Sequence, residues 1–191
     1  MTAGGDAGAI EDVSTTLADL LEGGIEMESL NVVVSSPDDV SNVNSPTLGL
    51  FLYDVRENPH ESSLRPEEVS PDEVRPGPLV VDLRYLVTAY ASGGGNETSR
   101  ARRQHRLLGE AMRVLRDAAI VRGSALRGSL EGELRVSTGD GEETILDVWS
   151  TFQDRSYLPS VAYTVGPVRL GEAPVEDAGR VEALTRRGED G

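Results

Sequence analysis

Apolar residues recur along this chain at two periods, and the periods divide it into elements. Ile10, Val13, Leu17, Leu20 and Leu21 fall at helical spacing, with Glu11, Asp12, Asp19 and Glu22 between them. The spacing predicts an amphipathic helix stopped by Gly23-Gly24. Leu30, Val32 and Val34 alternate with Asn31, Val33 and Ser35 and predict a short strand, after which Ser36-Pro37-Asp38-Asp39 turns the chain. Thr47 to Val55 is apolar on both faces, the mark of a central strand. Residues 56–78 carry Pro59, Pro66, Pro71, Pro76 and Pro78 among acidic residues. Proline removes a backbone donor, so this stretch reads as a long loop and neither a helix nor an inner strand. Loops of that length in compact domains are functional or disordered.

Leu79 to Ala91 gives the strongest alternation. Leu79, Val81, Leu83, Tyr85, Val87 and Ala89 share one face; Val80, Asp82, Arg84, Leu86, Thr88 and Tyr90 share the other. The second face holds an Asp and an Arg two residues apart, so it is partly wet or pairs internally. Gly93-Gly94-Gly95-Asn96 breaks the strand. Residues 97–119 then predict the longest helix, with Ala101, His105, Leu108, Met112 and Leu115 on one stripe. Beyond Val121 the chain is irregular and punctuated by Gly. Leu134 and Val136 predict a short strand, and Gly139-Asp140-Gly141 a turn. Glu142 to Phe152 predicts a helix with both glutamates in its first turn, where acids are favourable. Ser160 to Leu170 predicts a last strand, in which Gly166-Pro167 marks a bulge or an edge.

The order α-β-β-β-α-β-α-β implies an α+β single domain, a mainly antiparallel sheet flanked by two or three helices. Its expected bounds are 10–170, between a flexible N-terminus at 1–9 and an acidic tail at 171–191. Gly171 onward shows no pattern beyond Val181 and Leu184. With so few apolar residues to offset its ordering entropy, the tail is expected to order only against a partner.

Composition narrows the function. Thirty-three acids face 18 basic residues for a net charge of −15, and every basic residue is Arg. That balance argues against binding nucleic acid or anionic lipid, which needs clustered positive charge. No Cys is present, which excludes disulfides, thiolate metal sites and Cys nucleophiles. No apolar run approaches the ~18 residues of a membrane span, and no Sec signal peptide is visible. Acid excess without Lys fits adaptation to molar salt, where the Debye length is ~3 Å and carboxylates are screened from one another. The ordinary reading is a soluble protein of a GC-rich genome.

Candidate chemistry is sparse. His60 lies in the Pro-rich stretch and His105 on the long helix, and they share no metal-ligand spacing. Gly128-Ser129-Leu130-Glu131-Gly132 is not a nucleophile elbow, because Ser follows the first Gly directly. Gly93-Gly94-Gly95 lacks the Lys-Ser/Thr of a phosphate loop and reads as a flexible link. Residues 137–142 hold too few alternate carboxylates for an EF-hand loop. Asn96-Glu97-Thr98 matches a glycosylation sequon, a frequent chance match. No catalytic residue, cofactor or metal site is expected, and the protein is expected not to be an enzyme.

Six segments taken in order carry a family resemblance: Ile10 to Leu21, LGLFLYDVREN at 48–58, PLVVDLRYLVTAY at 78–90, HRLLGEAM at 105–112, ILDVW at 145–149 and YLPSVAYTV at 157–165. Together they resemble the N-terminal domain of the cap, or tail-terminator, proteins of contractile injection systems, phage-tail-like particles of the antifeeding-prophage type. The resemblance implies a tail-terminator-like fold and a hexameric ring at the end remote from the baseplate. That ring would close the inner tube and hold the last sheath layer, so its partners would be itself, tube and sheath. It also implies assembly in the cytoplasm and a particle that can be released. The family's loop after the LYDV strand is often rich in Asn and Arg; here it is acidic and Pro-rich. Phe51, Leu52, Tyr53, Leu83, Tyr85, Leu86, Trp149 and Tyr163 read mostly as core. Asp54, Asn58, Asp82, Thr88 and Ser160 read as polar residues whose hydrogen bonds fix the fold.

A six-fold ring needs head-to-tail contacts that close by rotation. The expected pairs set Arg100, Arg102, Arg103 and Arg106 against Glu67, Glu68, Asp72 and Glu73 of a neighbour, with Val181 and Leu184 available for sheath. The alternatives are another tail-completion or baseplate-associated component, a small hydrolase or metal-binding enzyme, and a binding module using the Pro-rich loop. Two converging ionisable groups in a deep pocket would favour the enzyme.

Overall fold

A computed structural model describes residues 8–40, 43–58, 67–70, 73–75, 79–139, 145–171 and 176–177, with only the backbone course of 67–70, 73–75 and 176–177. The first helix, α1 (Ala9–Gly24), buries Val13, Leu17 and Leu21 as its spacing predicts, and it runs through both glycines rather than stopping before them. Two strands follow, β1 (Asn31–Val34) and β2 (Thr47–Glu57). They pair in parallel, Asn31 against Thr47, so the twelve residues between them form a crossover.

The long strand β5 (Leu79–Tyr90) pairs antiparallel with β2 along its whole length. Its other side pairs with β8 (Ser160–Leu170), which pairs in turn with β7 (Glu133–Thr138) and then β6 (Ile120–Arg122). The six-stranded sheet therefore runs β1-β2-β5-β8-β7-β6, with all pairs but the first antiparallel. The second helix, α2 (Glu97–Asp117), packs beside α1, and a short helix, α3 (Ile145–Ser150), contacts β8. The α+β single-domain reading stands, with three α-helices among the described residues.

The core lies between one sheet face and the α1–α2 layer. Leu48, Leu50, Val81, Leu83, Tyr85, Val87, Ala89, Tyr163 and Val165 supply the sheet side. The period-2 pattern of β5 is obeyed on this face, except that Leu79 at the strand's start is half exposed.

Several expectations are corrected. The predicted α2 stripe is rotated: Leu107, Ala111, Val114 and Leu115 are buried, while His105 and Met112 are exposed. Adjacent apolar pairs, Leu107-Leu108 and Val114-Leu115, support two stripes about 100° apart, and only contact with α1 and the sheet chooses between them. Around Val121 the chain forms β6, a strand of three residues with one buried position, Val121. The stretch 56–78 is not wholly a loop. It begins with the end of β2 and contains β3 (Glu67–Ser70) and β4 (Glu73–Arg75), and β4 is the middle strand of a second, three-stranded sheet. Proline forbids an inner strand only where it interrupts one, and none of the five prolines falls inside 67–70 or 73–75. The third strand of that sheet is β9 (Glu176–Asp177), so the patternless segment after Gly171 pairs in part with the chain's own β4.

Gly166-Pro167 is a bulge and not an edge. Val81 faces Val168 and Leu83 faces Val165, so Gly166 and Pro167 together oppose the single residue Asp82. A Cβ at Gly166 would collide with the Asp82 carboxylate, which explains the glycine there. The expected Asp140-Gly141 turn and the Glu142–Glu143 helix start lie outside the described residues.

Candidate interaction surface

The sheet face away from α1 and α2 divides into an apolar end and a polar end. At the apolar end the Ser160 hydroxyl joins three elements. It lies 2.8 Å from Thr88 Oγ1, accepts the Trp149 indole N–H at 3.2 Å and donates to the Leu158 carbonyl at 2.9 Å. Trp149, Phe152, Phe51 and Tyr157 stack edge-to-face around this network, with ring centroids 5.6–5.9 Å apart. Aromatic packing thus ties the end of α3 to Phe51 of β2, and the Trp149 indole ties it to β8, while Leu146 and Tyr157 stay exposed.

At the polar end, Asp54 binds Arg56 Nε at 2.6 Å and lies 3.6 Å from Arg84 Nη1. Asn58 donates its amide to both carboxylate oxygens of Asp82 at 3.0 Å each. The Asp–Arg pair foreseen on β5 is therefore shared with β2, and the polar residues read as fold-fixing do make cross-strand bonds. Beside them opens a cleft of about 780 Å³ that reaches Arg135, Thr164, Gly166 and Arg169. Of its charged lining residues, Asp82 accepts from the Asn58 amide and Arg135 is paired with Glu133 at 3.2 Å. Among the described residues no three of His, Asp and Glu gather as a metal ion would need.

Two polar clamps were not legible as such. Arg155 donates to the Val40 and Asp38 carbonyls, tying the loop before β8 to the turn after β1. Asp12 on α1 accepts from the Ser129 N–H and hydroxyl at 2.8 and 2.9 Å. Asp19 pairs with Arg127, whose N–H is accepted by Thr16 Oγ1 at 3.1 Å. The wet face of α1 therefore holds the 127–129 turn through Asp12, Thr16 and Asp19. Gly128 adopts φ +59°, and a Cβ there would strike the Asp12 carboxylate.

Burial raises three phenols. Tyr85 is pushed up to about 12 by burial, against a lowering hydrogen bond from Ser14. Tyr90 also rises to about 12 by burial, with Arg155 lowering it and Asp38 raising it. Tyr163 is raised by burial.

The expected contact residues fall in separate places. Asn96 caps α2 by accepting the Ser99 N–H at 2.9 Å, which gives the glycosylation match a structural role. Arg100, Arg102, Arg103 and Arg106 are all exposed on the first half of α2. Arg103 donates to the Gly94 carbonyl at 3.1 Å. Among the residues whose side chains are described, no carboxylate lies within 4 Å of any of the four. Glu67 and Glu68 lie on β3 and Glu73 on β4. Asp72, Val181, Leu184 and His60 lie outside the described residues. No described helix is long and apolar enough to cross a membrane.

Comparison with known proteins places the fold. The family model described as the Pvc16 N-terminal domain matches residues 12–183. The sheath/tube terminator of PVC, an extracellular contractile injection system, in its extended state is similar over 95% of this chain, at 18% identity and a TM-score of 0.57. The tube-terminating cap of the anti-feeding prophage is similar over 93%, at 18% identity and a TM-score of 0.55. The chain spans just under two-thirds of those proteins, 64% and 61% of their lengths. A search of the curated proteins finds no match.

Proposed function

This chain belongs to the Pvc16 N-terminal domain family, and we propose on that footing that it terminates a contractile injection particle. Six copies form a ring at the end remote from the baseplate, close the inner tube and hold the last layer of sheath. The protein works by contact rather than catalysis. It is assembled in the cytoplasm, and its partners are itself, tube and sheath, with no nucleic acid and no membrane.

The family match over residues 12–183 carries the reading. The surface chemistry supports it. Polar groups of the face away from α1 and α2 make cross-strand bonds, such as Asn58 to Asp82 and Thr88 to Ser160, which stiffen a scaffold. A protein that must hold a tube end against a contracting sheath needs such a scaffold more than a reactive pocket. The molar-salt adaptation read from the charge belongs to the same proposal.

The test is electron microscopy of particles from a strain lacking the chain. Baseplates should form normally, while tubes and sheaths vary in length or fall apart. Particles of normal length and stability would contradict the proposal.

A further inference from the structure

We propose that the domain is electrically polar end to end, and that the arginines of α2 dock on the small acidic sheet of a second copy. The inference rests on reading the chain as a ring-forming terminator and names the contact that closes the ring.

The topology sets the two charges at opposite ends of the sheet. Thr47, Tyr90 and Ser160 mark one end, where Thr47 faces Tyr90 and Thr88 faces Ser160. From that end the chain enters α2 after six residues, and Gln104 still reaches the Ala89 carbonyl at 3.5 Å. Arg100, Arg102, Arg103 and Arg106 fall within the first ten residues of α2, about 14 Å of helix. Glu57, Leu79 and Leu170 mark the other end, where Glu57 faces Val81 and Leu79 faces Leu170. The small sheet belongs there, because β4 stops at Arg75 and β5 starts at Leu79, a reach of at most about 14 Å. Between the two ends runs β5, twelve residues or about 37 Å.

The small sheet brings together remote acids that no local pattern connects. Its nine residues, EEVS, EVR and ED, hold five carboxylates and one Arg. Glu73 and Asp177 take directly opposed register positions, an arrangement of like charges that destabilises a strand pair. Four exposed arginines and a small sheet whose sequence is rich in acids are complementary in charge, and the length of β5 sets the two elements apart within one chain. A second copy, placed head to tail, satisfies both. Such a contact is heterologous, the kind that closes into a ring. Arginine's planar fork suits the site, since bidentate contact with carboxylates survives when long-range charge is screened.

The experiment uses two charge-reversed full-length chains: Arg100→Glu/Arg102→Glu/Arg106→Glu, and Glu67→Arg/Glu68→Arg/Glu73→Arg. Arg103 is spared because it binds the Gly94 carbonyl. Circular dichroism checks folding, and sedimentation velocity at ~1 M salt reads assembly. Juxtaposed like charges cost several kcal/mol, so each variant alone should lose ~100-fold or more in association and sediment as monomer. Mixing the two should restore assembly, because every contact then pairs opposite signs in an alternating ring. The proposal is overturned if either variant assembles like the parent, if the mixture stays monomeric, or if the parent does not self-associate. Mis-terminated particles in the deletion strain together with oligomers indifferent to these reversals would keep the terminator reading and remove only this contact.

Discussion

Tyr85 is fully buried under α1, with its hydroxyl 2.7 Å from Ser14 Oγ, which also donates to the Ile10 carbonyl. Burial pushes this phenol, and that of Tyr90, from 10 up to about 12. The sign follows from which state holds the proton. Above pH 10 the unfolded chain loses protons that the folded chain keeps until about pH 12. Stability contributed by these groups is therefore complete below pH 10 and falls as pH rises through 12, by on the order of 2 kcal/mol per tyrosine. Urea midpoints at pH 9 and pH 11 check this: the parent should lose stability between them, and Tyr85→Phe should lose less. Equal parent midpoints would refute it. Tyr85→Phe should itself cost about 1 kcal/mol at neutral pH, since Ser14 keeps its Ile10 partner.

Elements were legible in proportion to how much of their pattern is local. β5 and α1 carry long, regular periodicity over residues of one polarity class, and both were readable to within two residues. The α2 helix was readable as a helix but not in its orientation, because two stripes fit and packing decides. That yields a sharp contrast: Leu107→Ala should cost about 2–5 kcal/mol, and Met112→Ala less than about 0.5. Thermal or urea denaturation of the two variants reads the difference, and comparable losses would restore the stripe through His105 and Met112. The short strands β1 and β7 were readable from alternation, but β3, β4, β6 and β9 were not. The three residues of β6 and the two of β9 become strands only through partners distant in sequence, at Arg135 and Glu73. The same reason hid the clamps of Asp12 on Ser129 and Arg155 on Val40, which bridge more than a hundred residues. The charged contact candidates were legible as charge, but that Glu67, Glu68 and Glu73 fall on strands while the arginines fall on α2 needed the structure.

At the scale of the whole molecule, charge and family membership govern. Each copy carries −15, so the proposed ring would gather a large like charge that only concentrated salt can screen. Folding and assembly should strengthen from ~0.1 M to ~3 M salt, read by circular dichroism and sedimentation velocity. Equal folding and oligomerisation at both extremes would leave the acid excess as ordinary solubility. The place of the molecule in the particle is the central claim, and it can be observed directly. A short epitope tag on the chain, located by gold-labelled antibody on intact extended particles, reports its position in electron micrographs. The account predicts label at the single end opposite the baseplate in nearly every labelled particle. Label at the baseplate, along the sheath or on no particle would contradict it.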